Sequence, residues 1–319
     1  MNIYQNGVEG TFYLNGVEML SMSKPDINEC EACVAPAEAF SVVGNETRLS
    51  ILEALRQADD RPVRFSDLRE TVEMRDSAQF NYHLQQLTDQ FVVNTDDGYD
   101  LRYAGKKVVR AVIAGEFNQN PRWGPHELDA DCVTCGGSLV AVYEDECIAI
   151  DCPDCGHPHG EYPFPPGGLT DRDRDEVMRA FDQRVRHLHC LAADGVCPEC
   201  SGKMTSHVER EGDCCIGSDI RVEHVCQQCG HSLCSAIGLV LLDQSDVVHF
   251  HREHGVDLNG TPYWELPWCV SDRDTEVHST DPLSVTVTIE LADERLAVTI
   301  DDELAVADVE HRVERPADD

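Results

Sequence analysis

Four Cys-x-x-Cys pairs constrain this chain more than any other feature: Cys132/Cys135 and Cys152/Cys155, then Cys197/Cys200 and Cys226/Cys229. Two residues between paired cysteines is the spacing of a zinc-knuckle turn, and each set of four thiols can close a tetrahedral site. A loop tied in this way is folded by metal rather than by a large apolar core. The first loop, CVTCGGSLVAVYEDECIAIDCPDCGHPHG, predicts two short strands, Leu139–Tyr143 and Cys147–Ile150, around an acidic turn. Gly136 and Gly156 behind the pairs free the backbone to aim amides at the thiolates. The second loop, CPECSGKMTSHVEREGDCCIGSDIRVEHVCQQCGH, repeats the plan with a longer insertion, so the region reads as an imperfectly duplicated zinc ribbon. Two Zn2+ ions per chain are the expected cofactor; the competing reading is a metal-free or iron-bound, rubredoxin-like site. His157, His159 and His231 lie close by, but the quartets are complete without them.

The compartment follows from the same thiols. No charged region followed by an apolar one opens the chain, and the longest apolar stretch, around Leu233–Leu242, is too short to span a bilayer. The expected location is cytoplasmic and reducing, where the 16 cysteines act as ligands and buried thiols rather than as disulfides. Asp and Glu number 60 against 25 Lys and Arg, and only four of the cations are lysine. With 41% apolar residues and clear periodic segments, such a chain is folded rather than disordered. The bias resembles that of proteins from salt-in haloarchaea. Net acidity normally opposes nucleic-acid binding, because phosphate contacts supply much of the affinity. Its distribution matters here: residues 36–120 carry 10 basic against 14 acidic side chains, residues 121–319 carry 14 against 41.

The least acidic segment also has the most regular pattern. Asn45 is a good N-cap for a helix with Leu49, Leu52 and Leu55 at core spacing, and Pro62 follows its end. Ser66 is expected to cap a second helix, with Glu70 in capping reach. After a break at Glu73–Asp76, a helix is predicted from Ser77 to about Gln90, with Phe80, Leu84, Leu87 and Phe91 on one face. FVVNTDDGYDLRY then reads as a hairpin turning at Asp97-Gly98, and Gly105–Ala114 as a closing helix bearing Val108, Val109, Val112 and Ile113. Helix, helix, short helix, recognition helix, hairpin, helix is the order of a winged helix-turn-helix. On the predicted recognition helix, Gln79, Tyr82 and Gln86 share the face away from the apolar stripe, flanked by Ser77 and Asn81. Amide side chains suit adenine edges, and Tyr82 can reach phosphate or a thymine methyl. Arg102, Lys106 and Lys107, beside the hairpin, are candidate phosphate contacts. The same residues also fit the ordinary polar surface of a winged helix that only binds protein.

GNETRLSILEAL, FSDLRETV and FNYHLQQLTDQFVV together resemble the ArsR-type transcriptional regulators, especially their haloarchaeal relatives, over roughly residues 36–120. In that family the recognition helix carries a pattern like Val-Ser-Arg-His-Leu, onto which Phe80, Asn81, Tyr82, His83 and Leu84 fall; Asn81 and Tyr82 depart from it, so base preference does not transfer. The resemblance implies sequence-specific double-stranded DNA as partner and a homodimer paired through the outer helices. Metal-sensing members carry Cys ligands in the first helix of the motif or Asp/His ligands in the last, yet FSDLRETV has neither Cys nor His, nor does KKVVRAVIAGEF. YPFPPGG, HREHGVDL and PYWELPWC look like segments from the C-terminal region of haloarchaeal ArsR-like regulators.

The expected fold is therefore α+β: a winged helix-turn-helix, then a body with two four-cysteine zinc ribbons, short helices and a C-terminal β-hairpin. Residues 1–35 read as a disordered tail, or as a start placed too early with Met19 or Met22 as the true one. Residues 36–120 form the DNA module, 121–310 the body with ribbons at about 130–165 and 195–235, and 311–319 a tail. Asp175–Cys190 and Ser245–Gly255 have helical spacing, the latter with Val247, Phe250, His251 and His254 on one face and His249 nearby. Val285–Leu291 and Leu296–Ile300 alternate as a hairpin. Cys147, Cys190, Cys234 and Cys269 are expected to pack, whereas Cys30/Cys33 and Cys214/Cys215 are better redox or extra-metal candidates. The leading function is transcription regulation, with the body sensing a ligand or contacting protein. The alternative is a basal accessory resembling archaeal transcription factor E, which also joins a winged helix to a zinc ribbon. No Walker loop, dinucleotide-binding glycine pattern or His-Glu-x-x-His is present, and a zinc site filled by four cysteines has no open position, so no enzyme activity is expected.

Overall fold

The computed structural model describes residues 34–210 and 219–313, together with the backbone of two short paired strands, β1 (Tyr13–Leu14) and β2 (Val17–Glu18). Cys30, Cys33, Cys214 and Cys215 lie outside the described residues. The chain divides into two compact units, Met1–Val109 and Arg110–Asp319.

In the first unit, α1 (Pro36–Val43) precedes α2 (Glu46–Gln57), whose first turn is closed as expected: Asn45 Oδ1 accepts from the Arg48 amide at 3.2 Å. Such a cap is worth ~1 kcal/mol. Ile51, Leu52 and Leu55 supply its fully buried side, while Leu49 is half-buried. The next helix, α3 (Phe65–Thr71), starts one residue before the expected cap; Ser66 Oγ turns instead to Asp67 at 2.7 Å. Phe65 packs edge-on against Phe80, with ring centres 5.1 Å apart, which draws the chain into the helix early. Asp76, at the end of the predicted break, caps α4 (Ser77–Leu87) by accepting from the Ala78 and Gln79 amides. Thr88 ends α4 in extended conformation, sooner than Gln90, and returns its hydroxyl to the Leu84 carbonyl. Phe80, Leu84 and Leu87 are fully buried, and Phe91 nearly so.

The hairpin β3 (Val92–Thr95) and β4 (Gly98–Leu101) turns at Asp96-Asp97, one residue before the expected position, because Gly98 is needed elsewhere. A Cβ at Gly98 would lie 2.4 Å from the Val63 carbonyl oxygen, and its φ of +144° also suits glycine. That approach lets Val63 exchange two 2.8 Å backbone hydrogen bonds with Tyr99. In α5 (Tyr103–Ala114), Gly105 allows similar contact with the Phe91 carbonyl. Val109 enters the core of the first unit, whereas Tyr103 and Ile113 remain exposed.

The second unit contains three antiparallel sheets. The first has the order β5 (Trp123–Asp131), β6 (Ser138–Glu144), β7 (Cys147–Asp151), β8 (Pro158–Pro163). The expected strands of the first cysteine loop are β6 and β7, joined at Asp145-Glu146; β5 and β8 extend them on either side. A 20-residue helix, α6 (Arg174–Ala193), follows, closed by a reciprocal capping box between Asp173 and Glu176. Next come β9 (Met204–Glu209), β10 (Arg221–Cys226) and β11 (Ser232–Ala236), paired in the order 11-10-9. Helices α7 (Ser245–Glu253) and α8 (Pro267–Val270) lead into a meander of β12 (Thr275–Thr280), β13 (Leu283–Leu291), β14 (Glu294–Asp301) and β15 (Val306–Val313). The expected hairpin is β13–β14, and two edge strands flank it; β15 runs through residues 311–313, read from the sequence as tail. Val285, Val287, Ile289, Leu296, Val298 and Ile300 alternate into the core, whereas β15 is almost wholly exposed and lacks that signal.

One buried ion pair spans a single turn of α6. Arg186 Nε donates to both Asp182 oxygens, at 3.0 and 2.9 Å, with each side chain 6% exposed. Asp182 also accepts from the Tyr263 amide at 2.8 Å, and Arg186 donates to the Thr261 carbonyl, so the pair fastens the 261–263 segment to the helix. Phe181 packs among Tyr162, Phe164, Tyr263 and Trp264 beside it. Among the described residues, no helix is long and apolar enough to cross a membrane.

All three tryptophans, Trp123, Trp264 and Trp268, belong to the second unit, so their fluorescence reports its unfolding. Arg186→Leu leaves the Asp182 carboxylate buried without its cation and is expected to destabilise that unit by about 3–5 kcal/mol. Urea titration followed by tryptophan emission checks this; a midpoint unchanged from the parent chain overturns the role given to the pair.

Candidate metal centres and nucleic-acid interface

The knuckles stand where strands end. Cys132 follows β5, and Cys135 precedes β6; Cys152 follows β7, and Cys155 precedes β8. Antiparallel pairing thus carries both turns to one end of the sheet. The four Sγ atoms gather, with Cys132–Cys155 at 3.7 Å and Cys135–Cys152 at 3.5 Å. In the second quartet, Cys197–Cys229 is 3.7 Å and Cys200–Cys226 is 3.5 Å. Metal–sulfur bonds of about 2.3 Å give a tetrahedron with edges of about 3.8 Å, so both clusters have the dimensions of a four-thiolate metal site. Within each cluster, the Sγ atoms all lie within 4.8 Å of one another.

Backbone amides complete the knuckles. The Thr134 and Gly137 amides donate to Cys132 and Cys135 sulfur at 3.4 Å, and those of Gly202 and Gln228 to Cys200 and Cys226 at 3.3 and 3.4 Å. Each turn is closed by a backbone bond to the first cysteine's carbonyl, from Gly136, Gly156, Ser201 and Gly230. The glycines adopt φ of +74° to +75°, and Ser201 does the same work at +61°, a strained substitution that a search for glycine passes over. In the metal-free quartet the Cys155 amide holds the Cys152 thiol down, to about 7, whereas Cys135 and Cys155 are shifted upward by neighbouring thiols. The first cysteine of each pair is buried, while Cys135, Cys155 and Cys229 are exposed and Cys200 is half-buried. His157, His159 and His231 stand outside both clusters: His157 Nε2 bonds the Val270 carbonyl, and the His157 and His231 carbonyls accept from Cys152 and Cys226.

A third group emerges only from strand register. His207 lies opposite Glu223 and two residues before Glu209, with its Nε2 at 3.6 Å and 3.2 Å from their carboxylates on an exposed surface. The remaining described cysteines have separate surroundings. Burial is the leading cause raising Cys147 and Cys269, while a hydrogen bond to Asp243 leads in pushing Cys190 up to about 11. None of these three has the activated environment of a reactive thiol. On α7, His251 is buried against Trp268 with Nδ1 on the Val247 carbonyl, His254 faces Glu294 at 3.8 Å, and His249 points to Glu253 at the surface.

In the first unit, Ser77, Gln79, Asn81, Tyr82 and Gln86 are all exposed on α4, Tyr82 by 59%, opposite the buried stripe. His83 is half-buried beneath Tyr82, their rings meeting edge-on at 5.4 Å. Arg102 and Lys107 are exposed, Lys106 is half-buried, and Lys107 Nζ lies 5.7 Å from the centre of the Tyr103 ring. Two further exposed cations, Arg64 at the start of α3 and Arg75 just before α4, were missed from sequence because neither belongs to a periodic face.

Each quartet is expected to hold one metal ion. Cys132→Ser and Cys197→Ser should each remove one equivalent, measured by elemental analysis after purification in high salt; loss of both ions from either variant contradicts two independent centres.

Residues 36–112 match the family described as Domain of unknown function (DUF7347). No curated protein matches the chain. The longer family match covers residues 129–306, both quartets included, and is described as Domain of unknown function (DUF7351). Since that match spans more than half of the sequence, the chain belongs to the DUF7351 family.

Proposed function

We propose that the protein is a DNA-binding transcriptional regulator whose first unit is an ArsR-like winged helix-turn-helix and whose second unit is built around two structural zinc ions. The observation that carries this reading is the division of α4: Phe80, Leu84 and Leu87 are sealed in the core while Gln79, Tyr82 and Gln86 face solvent together. Four helices followed by a hairpin agree with the motif, and the cations Arg102, Lys106 and Lys107 follow the hairpin directly. In this reading α4 enters the major groove, its amides read adenine edges, and the cations hold phosphate. Zinc suits four thiolates at the observed spacing, without redox chemistry. The second unit serves as an effector or protein-interaction region. Exposed Phe40 and Tyr103 supply apolar surface for pairing of two copies across a two-fold axis.

Binding measurements separate reading from gripping. On a preferred site identified by genome-wide occupancy in molar salt, Gln79→Ala or Gln86→Ala should cost roughly 1–3 kcal/mol, with little change on unrelated DNA. Replacing Lys106 and Lys107 with Ala should weaken binding to all sequences about equally and flatten its salt dependence. If the glutamine variants bind the site as tightly as the parent chain while the lysine variants do not, α4 is not the reading element; occupancy at nearly every active promoter then favours a basal accessory resembling archaeal transcription factor E. Light scattering in molar KCl is expected to return a dimer; a monomer at every workable concentration removes the two-fold arrangement. Elemental analysis is expected to find zinc, and iron with a rubredoxin-like visible spectrum replaces that assignment.

A further inference from the structure

Two histidines in the interior of the second unit are left out of both cysteine centres. His189, on α6, is 1% exposed, and neither ring nitrogen has a hydrogen-bond partner. His224, on β10, is completely buried; its Nδ1 lies 2.7 Å from Ser206 Oγ, and its Nε2 has no partner. The ring centres are 6.0 Å apart. Leaving a buried polar atom unsatisfied is costly, and this pair has three such nitrogens.

Local alternatives make the placement informative. His251 and His254, also on or beside a helix, each use Nδ1 on the carbonyl four residues earlier, Val247 and Phe250. His189 makes no such bond and meets Tyr162 edge-on and the His224 ring. When Ser206 accepts from His224 Nδ1–H, the His224 Nε2 lone pair is left free, which is the tautomer a metal ligand requires; a fixed partner on the far nitrogen is the usual support for a metal-bound imidazole.

We propose that His189 and His224 bind a first-row transition-metal ion through their ring nitrogens, a third metal site per chain separate from the cysteine quartets. Metal–nitrogen bonds of about 2.0–2.1 Å place the centres of two imidazoles sharing one ion roughly 5–6.5 Å apart, depending on the angle between the bonds. The observed separation falls in that range. Imidazole ligation suits Zn, Cu, Ni or Fe, and two protein ligands leave further positions for water or another small ligand. The buried, unpartnered Ser235 hydroxyl occupies neighbouring β11 and supplies a hydrogen-bonding group on that side of the sheet.

The test uses the full chain with its cysteine centres zinc-loaded, equilibrated separately with excess Zn2+, Co2+, Ni2+ or Cu+ and then desalted. Elemental analysis should find one ion more than in His189→Leu or His224→Gln treated alike, and X-ray absorption at the added metal should show nitrogen ligation with imidazole scattering. Ser206→Ala keeps both rings and should weaken uptake by about 10–100-fold, which guards against a histidine variant that merely fails to fold. Comparing parent and variants keeps the result independent of cysteine-site occupancy and of DNA binding. Equal metal content in parent and both folded histidine variants, for all four metals, overturns the proposal. So does sulfur ligation of the added ion, or Ser206→Ala with unchanged affinity.

Discussion

Convergence of four thiols at the end of a small antiparallel sheet is the constraint on which the second unit rests. A sheet of three or four short strands can bury only one face and has two open edges, so it holds little stability alone. Here a turn that joins two strands is also half of a candidate metal centre, and backbone amides are directed at sulfur rather than lost to solvent. The arrangement occurs twice, first in a four-stranded and then in a three-stranded sheet. A metal ion held at each centre would fix turn geometry and strand register together, where side-chain packing alone secures only the buried face.

Helix α6 links these cysteine-bearing sheets to the rest of the interior. It begins at a sealed capping box and carries Phe181 into the aromatic cluster. One turn holds Asp182 and Arg186, which satisfy the Tyr263 amide and the Thr261 carbonyl at the entry to a short 3-10 turn. The pair therefore specifies where that turn lies, which a uniformly apolar helix face does not do. His189 follows on the same helix and faces β10.

Much of this was legible in the sequence because it rests on short-range signals. Cys-x-x-Cys spacing identified both quartets, Asn45 the start of α2, and alternating valines and isoleucines the strands β13 and β14. The misreadings occur where a distant contact overrides a local preference. Phe65 reaches for Phe80 and moves the start of α3 away from Ser66; Val63 occupies the space beside Gly98 and moves the turn to Asp96-Asp97. Edge strands β5, β12 and β15 bury few side chains and have little periodicity to find. His189 and His224 are separated in sequence by a cysteine pair and strand β9, so only the packing of a helix on a sheet brings them together.

The unequal burial of paired cysteines gives each centre a direction. In every pair the first thiol is shut inside the fold, whereas the second is open to water in three pairs and partly open in the fourth. Small chelators and oxidants would therefore meet the outward sulfurs first. A metal ion held by four such thiols would be lost stepwise from the molecular surface, the inner sulfurs letting go last.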